Sequence, residues 1–246
     1  MALGKMESKI ELSPELKRAA AWEWRCRYTF EREAMMRFDR LSKSLDAIEG
    51  KDQLAALARK AASDESRHAE QCRDLVRHFG EEISDSGAPA DRQVAPPGCS
   101  PEEALLYELV AMSCITETLS CALLGALVER ATDKQVKETM HSILRDEIGH
   151  SRLGWAYLAG ASSRSSKRFI ADHLPAMLAG TVTQEIFEDR PPHALEEPLS
   201  HLGALTRKER LHIFQESMRA VVFPGLERFE IDTQAGERWL RRQLGR

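Results

Sequence analysis

Along residues 14 to 79 the apolar positions recur every three or four residues, the period of an amphipathic helix. Ser13-Pro14-Glu15 supplies an N-cap with proline in the first turn, and no proline or glycine follows until Gly50, which predicts one helix over 14–48. Trp24, Tyr28, Met35, Phe38, Leu41 and Leu45 share one stripe of it. Lys51-Asp52 restarts the pattern, and Leu54, Ala58, Ala61, Cys72, Leu75 and Phe79 predict a second helix that Gly80 stops. Residues 81–99 hold Gly87, Pro89, Pro96, Pro97 and Gly98, the composition of a long surface crossover. Ser100-Pro101-Glu102-Glu103 reads as a capping box that opens a third helix running to about Arg130, and Asp133 caps a fourth running to about Ala159. Ser162–Ser166 reads as a loop, followed by a helix near 167–187, a break at Pro191-Pro192, and a last helical set opened by the capping box Thr206-x-x-Glu209. With no strand-like alternation, the chain is expected to be all-α: a four-helix bundle with a long crossover over 1–160, and C-terminal helices over 161–246 packed on it as part of the same domain or forming a homodimer face.

Several charged residues lie inside these apolar stripes. Asp64-Glu65-Ser66-Arg67-His68 and Asp146-Glu147-Ile148-Gly149-His150 repeat one pattern, each about thirty residues after an upstream carboxylate, Glu31 and Glu117. The Glu and His of Glu-x-x-His sit one turn apart on one helix face. Going out along one helix and back along the next at about 1.5 Å per residue returns the paired residues to the same height. Glu33 fits that height slightly better than Glu31, but Glu33 shares its face with Cys26, Arg37 and Arg40, whereas Glu31 lies on the apolar stripe. Around Glu117 the stripe is Val110, Ser113, Cys114, Ser120, Cys121 and Leu124, where an unpaired carboxylate would cost several kcal/mol of desolvation.

The bare motif is weak, since Glu138-His141 and Glu209-His212 match it too. Glu138 is half a turn out of phase with Glu147, and Glu209 is accounted for by its capping box. The conjunction of stripe, preceding Asp and partner Glu singles out Glu31, Glu65, His68, Glu117, Glu147 and His150 as ligands for a pair of iron or manganese ions, a donor set of hard oxygens and imidazoles. Asp64 is expected to reach across to His150, and Asp146 to His68, fixing the imidazole tautomers.

Composition removes other classes. The 35 basic and 39 acidic residues, for a net charge of -4, give no general electrostatic reason to bind nucleic acid or an anionic membrane. There is no apolar leader core and no run of eighteen apolar residues, so a cytoplasmic protein is expected. Cys26, Cys72, Cys99, Cys114 and Cys121 lack CxxC spacing, and most of them are expected to be reduced, buried thiols.

At its ligand pattern the chain resembles the ferritin-like di-iron carboxylate superfamily, which includes rubrerythrin, the ribonucleotide reductase small subunit, aldehyde-deformylating oxygenase and the arylamine N-oxygenases. The resemblance covers residues 14–160 and implies a ferritin-like bundle holding two Fe ions, or Mn or mixed Fe/Mn, with Glu65 and Glu147 as bridging carboxylates. Ile143 stands where arylamine N-oxygenases carry an additional His, and the cysteine-rich iron domain of rubrerythrin has no counterpart. The short segment Leu144-Arg145-Asp146-Glu147 with His150 is similar to the second motif of the aldehyde-deformylating oxygenases. Tyr28, Tyr107 and Tyr157 fall on stripes where reductase subunits place a radical Tyr, though packing on a core face is the more common reason for a Tyr there.

The function implied is an O2-activating oxygenase or oxidase acting on a small organic substrate with a separate electron donor. The alternatives are a ferroxidase or peroxide scavenger, and a structural helical protein with a vestigial metal site. Phe38, Met35, Ile143, Cys114, Cys121 and Leu124 are expected to line the substrate pocket. In the tail, His173, Glu185, His193, His201 and His212 offer further donors, although lone histidines more often pack or face water.

Overall fold

The computed structural model describes residues 12–84, 93–160, 163–181 and 199–244, which contain helices and no strand. The first helix, α1 (Pro14–Asp46), starts at the expected cap, where Ser13 Oγ accepts a hydrogen bond from the Leu16 amide at 3.2 Å. Trp24, Tyr28, Glu31, Phe38, Leu41 and Leu45 are buried along it, so one carboxylate rides in an otherwise apolar stripe. Gly50 turns the chain at φ +77°, a conformation an L side chain resists. The return helix α2 (Asp52–His78) then lies along α1 with Ala55, Ala58, Ala61, Glu65, His68, Cys72 and Leu75 buried.

Of the crossover, residues 85–92, including Gly87 and Pro89, lie outside the described residues. Where it resumes, the Val94 amide donates to Glu108 Oε1 at 3.0 Å, and Arg40 Nε and Nη2 donate to Glu108 Oε2 at 3.1 and 3.0 Å. This buried carboxylate therefore fastens the crossover and α1 to the third helix.

The third helix, α3 (Pro101–Val128), opens with the expected capping box between Ser100 and Glu103. Its middle departs from the expected continuous α-helix: Val110–Thr116 is π-helical, the Glu117 amide bonds to the Met112 carbonyl, and Thr116 Oγ1 donates to the Ala111 carbonyl at 2.9 Å. The wider turn rotates everything after it relative to an unbroken α-helix. The stripe read through Ser120 and Cys121 is thus not kept, since both are half-buried while Thr118 and Leu119 are buried. By length and composition α3 could cross a membrane; 56% of its most apolar window is buried inside the bundle, which accounts for that composition.

The fourth helix, α4 (Lys134–Gly160), is capped by Asp133 Oδ1, which accepts from the Val136 amide at 3.0 Å. It pairs with α3 and buries Val136, Met140, Ile143, Glu147, His150 and Leu158. The two helices approach closely at Gly154, where a Cβ would lie 2.7 Å from the Leu109 carbonyl oxygen and 2.6 Å from Cys114 Sγ. Gly154→Ala must therefore push the two helices apart beside the π-helical segment, and a loss of about 1–3 kcal/mol is expected. Calorimetric Tm values for the two proteins check this; equal values would mean that the helices do not meet there.

Helix α5 (Arg164–Thr181) begins earlier than the expected 167, because Ser163 Oγ accepts from the Ser166 amide at 3.2 Å and caps it inside the stretch read as loop. Residues 182–198, with Glu185, Pro191-Pro192 and His193, lie outside the described residues. Helix α6 consists of Arg207–Ser217, a second π-helical segment Met218–Val222, and Phe223–Arg228, and it is followed by α7 (Gln234–Leu244). Leu174, Leu178, Phe214, Met218, Val222 and Leu240 join Val110, Cys114 and Ile115 in one apolar cluster, so these helices pack on α3.

Candidate metal centre

The four bundle helices each bring one buried carboxylate to the middle of the bundle, and α2 and α4 add an imidazole one turn further on. Donor atoms of Glu31, Glu65, His68 and Glu147 lie within 4.8 Å of one another, as do those of Glu65, Glu117, Glu147 and His150. Glu65 and Glu147 belong to both groups and stand between them. All six side chains singled out from the sequence are buried there. Glu33 instead pairs with Arg37 at 2.9 Å and is 37% exposed, so of the two α1 carboxylates it is Glu31 that lies in the cluster.

Both imidazoles turn Nδ1 inward. His68 Nδ1 lies 3.3 Å from Glu65 Oε2 and 3.7 Å from Glu31 Oε2, and His150 Nδ1 lies 2.8 Å from Glu65 Oε1 and 3.5 Å from Glu147 Oε2. Nε2 faces the opposite helix: His68 Nε2 is 3.3 Å from Asp146 Oδ2, and His150 Nε2 is 3.3 Å from Asp64 Oδ2. A proton held on Nε2 by these aspartates leaves the Nδ1 lone pair facing the centre. Phe38 supports the His150 ring, with centroids 5.4 Å apart.

One residue of this arrangement was not found from the sequence. Arg67 Nη2 donates to Asp64 Oδ1 and to Asp146 Oδ2, each at 2.8 Å, and so bridges both aspartates across the bundle. Its position between Glu65 and His68, three residues after Asp64, was the available signal. Arg67→Met is expected to weaken metal binding by about tenfold, the low end for partners that orient ligands. Competition with a chelator measures this; an unchanged affinity would show that the aspartates need no such bridge.

Electrostatics fit a site built for cations. Burial pushes Glu65, Glu117 and Glu147 well above the usual carboxylate range, and neighbouring charges add to it: Glu31 for Glu65, Glu147 for Glu117 and Glu65 for Glu147. Burial also works to raise Glu31, but the His68 imidazole beside it prevails and holds the carboxyl low. For the imidazoles burial works downward and is outweighed, by Glu31 at His68 and by Glu65 at His150, so both are raised. Asp64 is lowered, its burial outweighed by Lys60 and His150.

Glu65 Oε1, Glu147 Oε2 and His150 Nδ1 are buried without a hydrogen-bond partner. The 2.8 Å approach of His150 Nδ1 to Glu65 Oε1 lacks the alignment of a hydrogen bond. Unsatisfied buried acceptors cost about 1–3 kcal/mol each, a cost that bound cations would remove. The five cysteines are free thiols, but only Cys72 and Cys114 are buried, fewer than expected; burial first, then Glu147 and Glu117, push Cys121 up to about 12, so it adds no thiolate.

A cavity of about 230 Å³ opens onto this cluster between α1 and α3. Glu31, Glu65, Glu117 and Glu147 form its floor, Phe30, Ala34, Met112, Leu119, Leu123 and Leu127 its walls, and Met177 of α5 with Leu205 and Arg210 its far side. None of the six residues expected to line a pocket lines this one: Phe38, Ile143, Cys114 and Leu124 are buried in the core, and Met35 and Cys121 are half-buried elsewhere. The wall lies one helix position off the ligand stripe, and the tail contributes part of it. The three tyrosines also lie outside the cluster; Tyr28, for example, accepts from Arg32 Nη1 at 3.3 Å.

The surplus motifs behave as read: Glu138 and His141 are exposed, and Glu209 completes the Thr206 capping box. His173 bonds the Phe169 carbonyl at 2.8 Å and His212 is exposed, so neither joins the cluster.

Comparison with known proteins gives a consistent picture. The rubrerythrin family model matches residues 27–154, a span that contains all six clustered residues. Among solved structures, the chain is similar to "Protein 19 with aldehyde deformylating oxidase activity from Synechococcus", at 17% identity and a TM-score of 0.57, over 92% of this chain and 99% of that one. No curated protein matches. The fold is therefore a ferritin-like helical bundle, carrying a buried carboxylate and histidine cluster compatible with a di-iron site.

Proposed function

The chain belongs to the rubrerythrin family, and on that premise we propose that it is a di-iron oxidase or oxygenase that activates O2 and acts on a small organic substrate held between α1 and α3. The observation that carries this reading is the apolar cavity whose floor is formed by Glu31, Glu65, Glu117 and Glu147. Oxidation of iron alone needs no such space.

Glu31, Glu65, His68, Glu117, Glu147 and His150 would hold two Fe ions, with Mn or a mixed Fe/Mn pair as the other occupants this donor set suits. Bound iron would supply the electrons and Lewis acidity for reducing O2. The chain's own residues do the rest. Asp64 and Asp146 keep a proton on each Nε2 and so aim each Nδ1 inward. Phe30, Leu119, Leu123 and Leu127 exclude water from the side on which substrate would sit. An electron donor from outside the chain completes the turnover.

The test is anaerobic loading with Fe(II) followed by exposure to O2. Two irons per chain, with O2 consumption accelerated by an added organic compound, are expected. Accumulation of many irons per chain, with oxidation indifferent to any organic compound, would replace this reading with that of a ferroxidase.

A further inference from the structure

The cavity is apolar at its centre, but one charge on its wall stands apart. Arg27 lies on α1 one turn before Glu31 and lines the cavity. Its neighbours on the wall are occupied: Arg37 is paired with Glu33 at 2.9 Å, and Arg210 Nη1 donates to the Leu205 carbonyl. Among the described residues, no carboxylate lies within ion-pair distance of the Arg27 guanidinium; its charge reaches Glu31 only through space. The donors of this half-buried guanidinium are thus left to water or to an anion entering the cavity.

The guanidinium is also held still. Arg27 Cζ lies 5.4 Å from the centroid of the Trp24 ring, and Trp24 is fixed by donating from Nε1 to the Leu202 carbonyl at 3.0 Å. Gly203, at φ +98°, packs so closely that a Cβ there would lie 2.6 Å from that ring. Stacking on an immobile indole lowers the entropy lost when an anion is bound.

We propose that Arg27 is the anion-recognising residue of this cavity and that the molecule admitted is an apolar chain carrying a single carboxylate. The proposal rests on the reading of the cavity as a substrate site. The carboxylate would be bound by the Arg27 fork and the apolar body would lie along Leu119, Leu123 and Leu127 toward Glu31. For a cavity of about 230 Å³ a medium-length chain such as an eight-carbon acid is a suitable probe.

Calorimetric titration of the iron-loaded protein with octanoate, octanol and octylammonium tests this. Octanoate should bind tightest, and Arg27→Met, which keeps the stem on Trp24, should weaken it by about tenfold or more while leaving octanol unchanged; Arg27→Lys should recover part of the difference. Equal octanoate affinity in wild type and Arg27→Met, or no octanoate binding to wild type, would overturn the assignment. Repeating the three-ligand ranking on chelated wild-type protein guards against a variant that does not fold. A preference for octanoate that disappears with the metal means that the carboxylate binds iron instead, and also overturns it. Iron counts on the same samples separate the two readings. Loss of the Arg27 effect with two irons retained defeats only the anion assignment, whereas Arg27-dependent binding in a protein that takes up no iron defeats only the oxidase.

Discussion

Glu147→Ala is expected to bind fewer than two irons per chain and to lose O2-dependent oxidation by more than the 10–100-fold that even outer partners of a metal site can cost. Glu147 belongs to both donor groups, so its removal takes an oxygen from each metal position at once. Nothing replaces it: the nearest other acid on α4, Asp146, turns toward His68 Nε2 and Arg67. Glu138→Ala is the matched control, the same motif residue on the same helix but exposed, and it should leave metal content and Tm within error. Iron analysis of the two purified variants decides the matter. Two tightly held irons in Glu147→Ala would remove this carboxylate from the ligand set.

The second large effect is a reversal of pH dependence on metal loading. In the metal-free protein Glu65, Glu117 and Glu147 are raised above their ordinary 4.5, and His68 and His150 above their ordinary 6.5. The folded state therefore holds more protons than the unfolded one, and the stability these groups contribute is complete below the ordinary values and lost as pH rises through the folded ones. Glu31 and Asp64 are lowered and act oppositely: their contribution is present above the ordinary 4.5 and 3.8 and is lost as pH falls through their folded values.

Metal-free protein should accordingly be most stable in mild acid and weaken toward pH 8. Metal ions compete with the protons on these same donors, so their stabilisation should grow over that range, reaching about 4 kcal/mol at a thousandfold excess over Kd. Calorimetry at pH 5.5, 6.5 and 7.5, with and without Mn(II), measures both slopes. Parallel curves would show that the metal does not displace protons from this cluster.

The elements and the cluster were legible in the sequence for physical reasons that the structure makes plain. Ser13, Ser100, Asp133 and Thr206 each form the cap read from them, because capping depends on neighbours in the chain. Glu31 was separated from Glu33 because two residues along a helix is half a turn, enough to exchange the core for Arg37. The π-helical turn at Val110–Thr116 was not legible: it adds a residue to one turn without altering the apolar character of the segment, and a periodicity argument assumes the turn it seeks. The cavity wall was missed for a related reason. It depends on how α1 faces α3 and on residues far along the chain, Met177 and Leu205, whose place no local pattern fixes. Arg67 was given no role because its two partners are joined only once α2 and α4 lie together.

The far wall of the cavity comes from residues beyond 154, outside the span matched by the rubrerythrin family. The cluster and the far side of the cavity above it thus come from separate stretches of the chain, while Arg27, Leu119, Leu123 and Leu127 stay with the cluster. Replacing the C-terminal helices would reshape that far side and leave all six clustered residues in place.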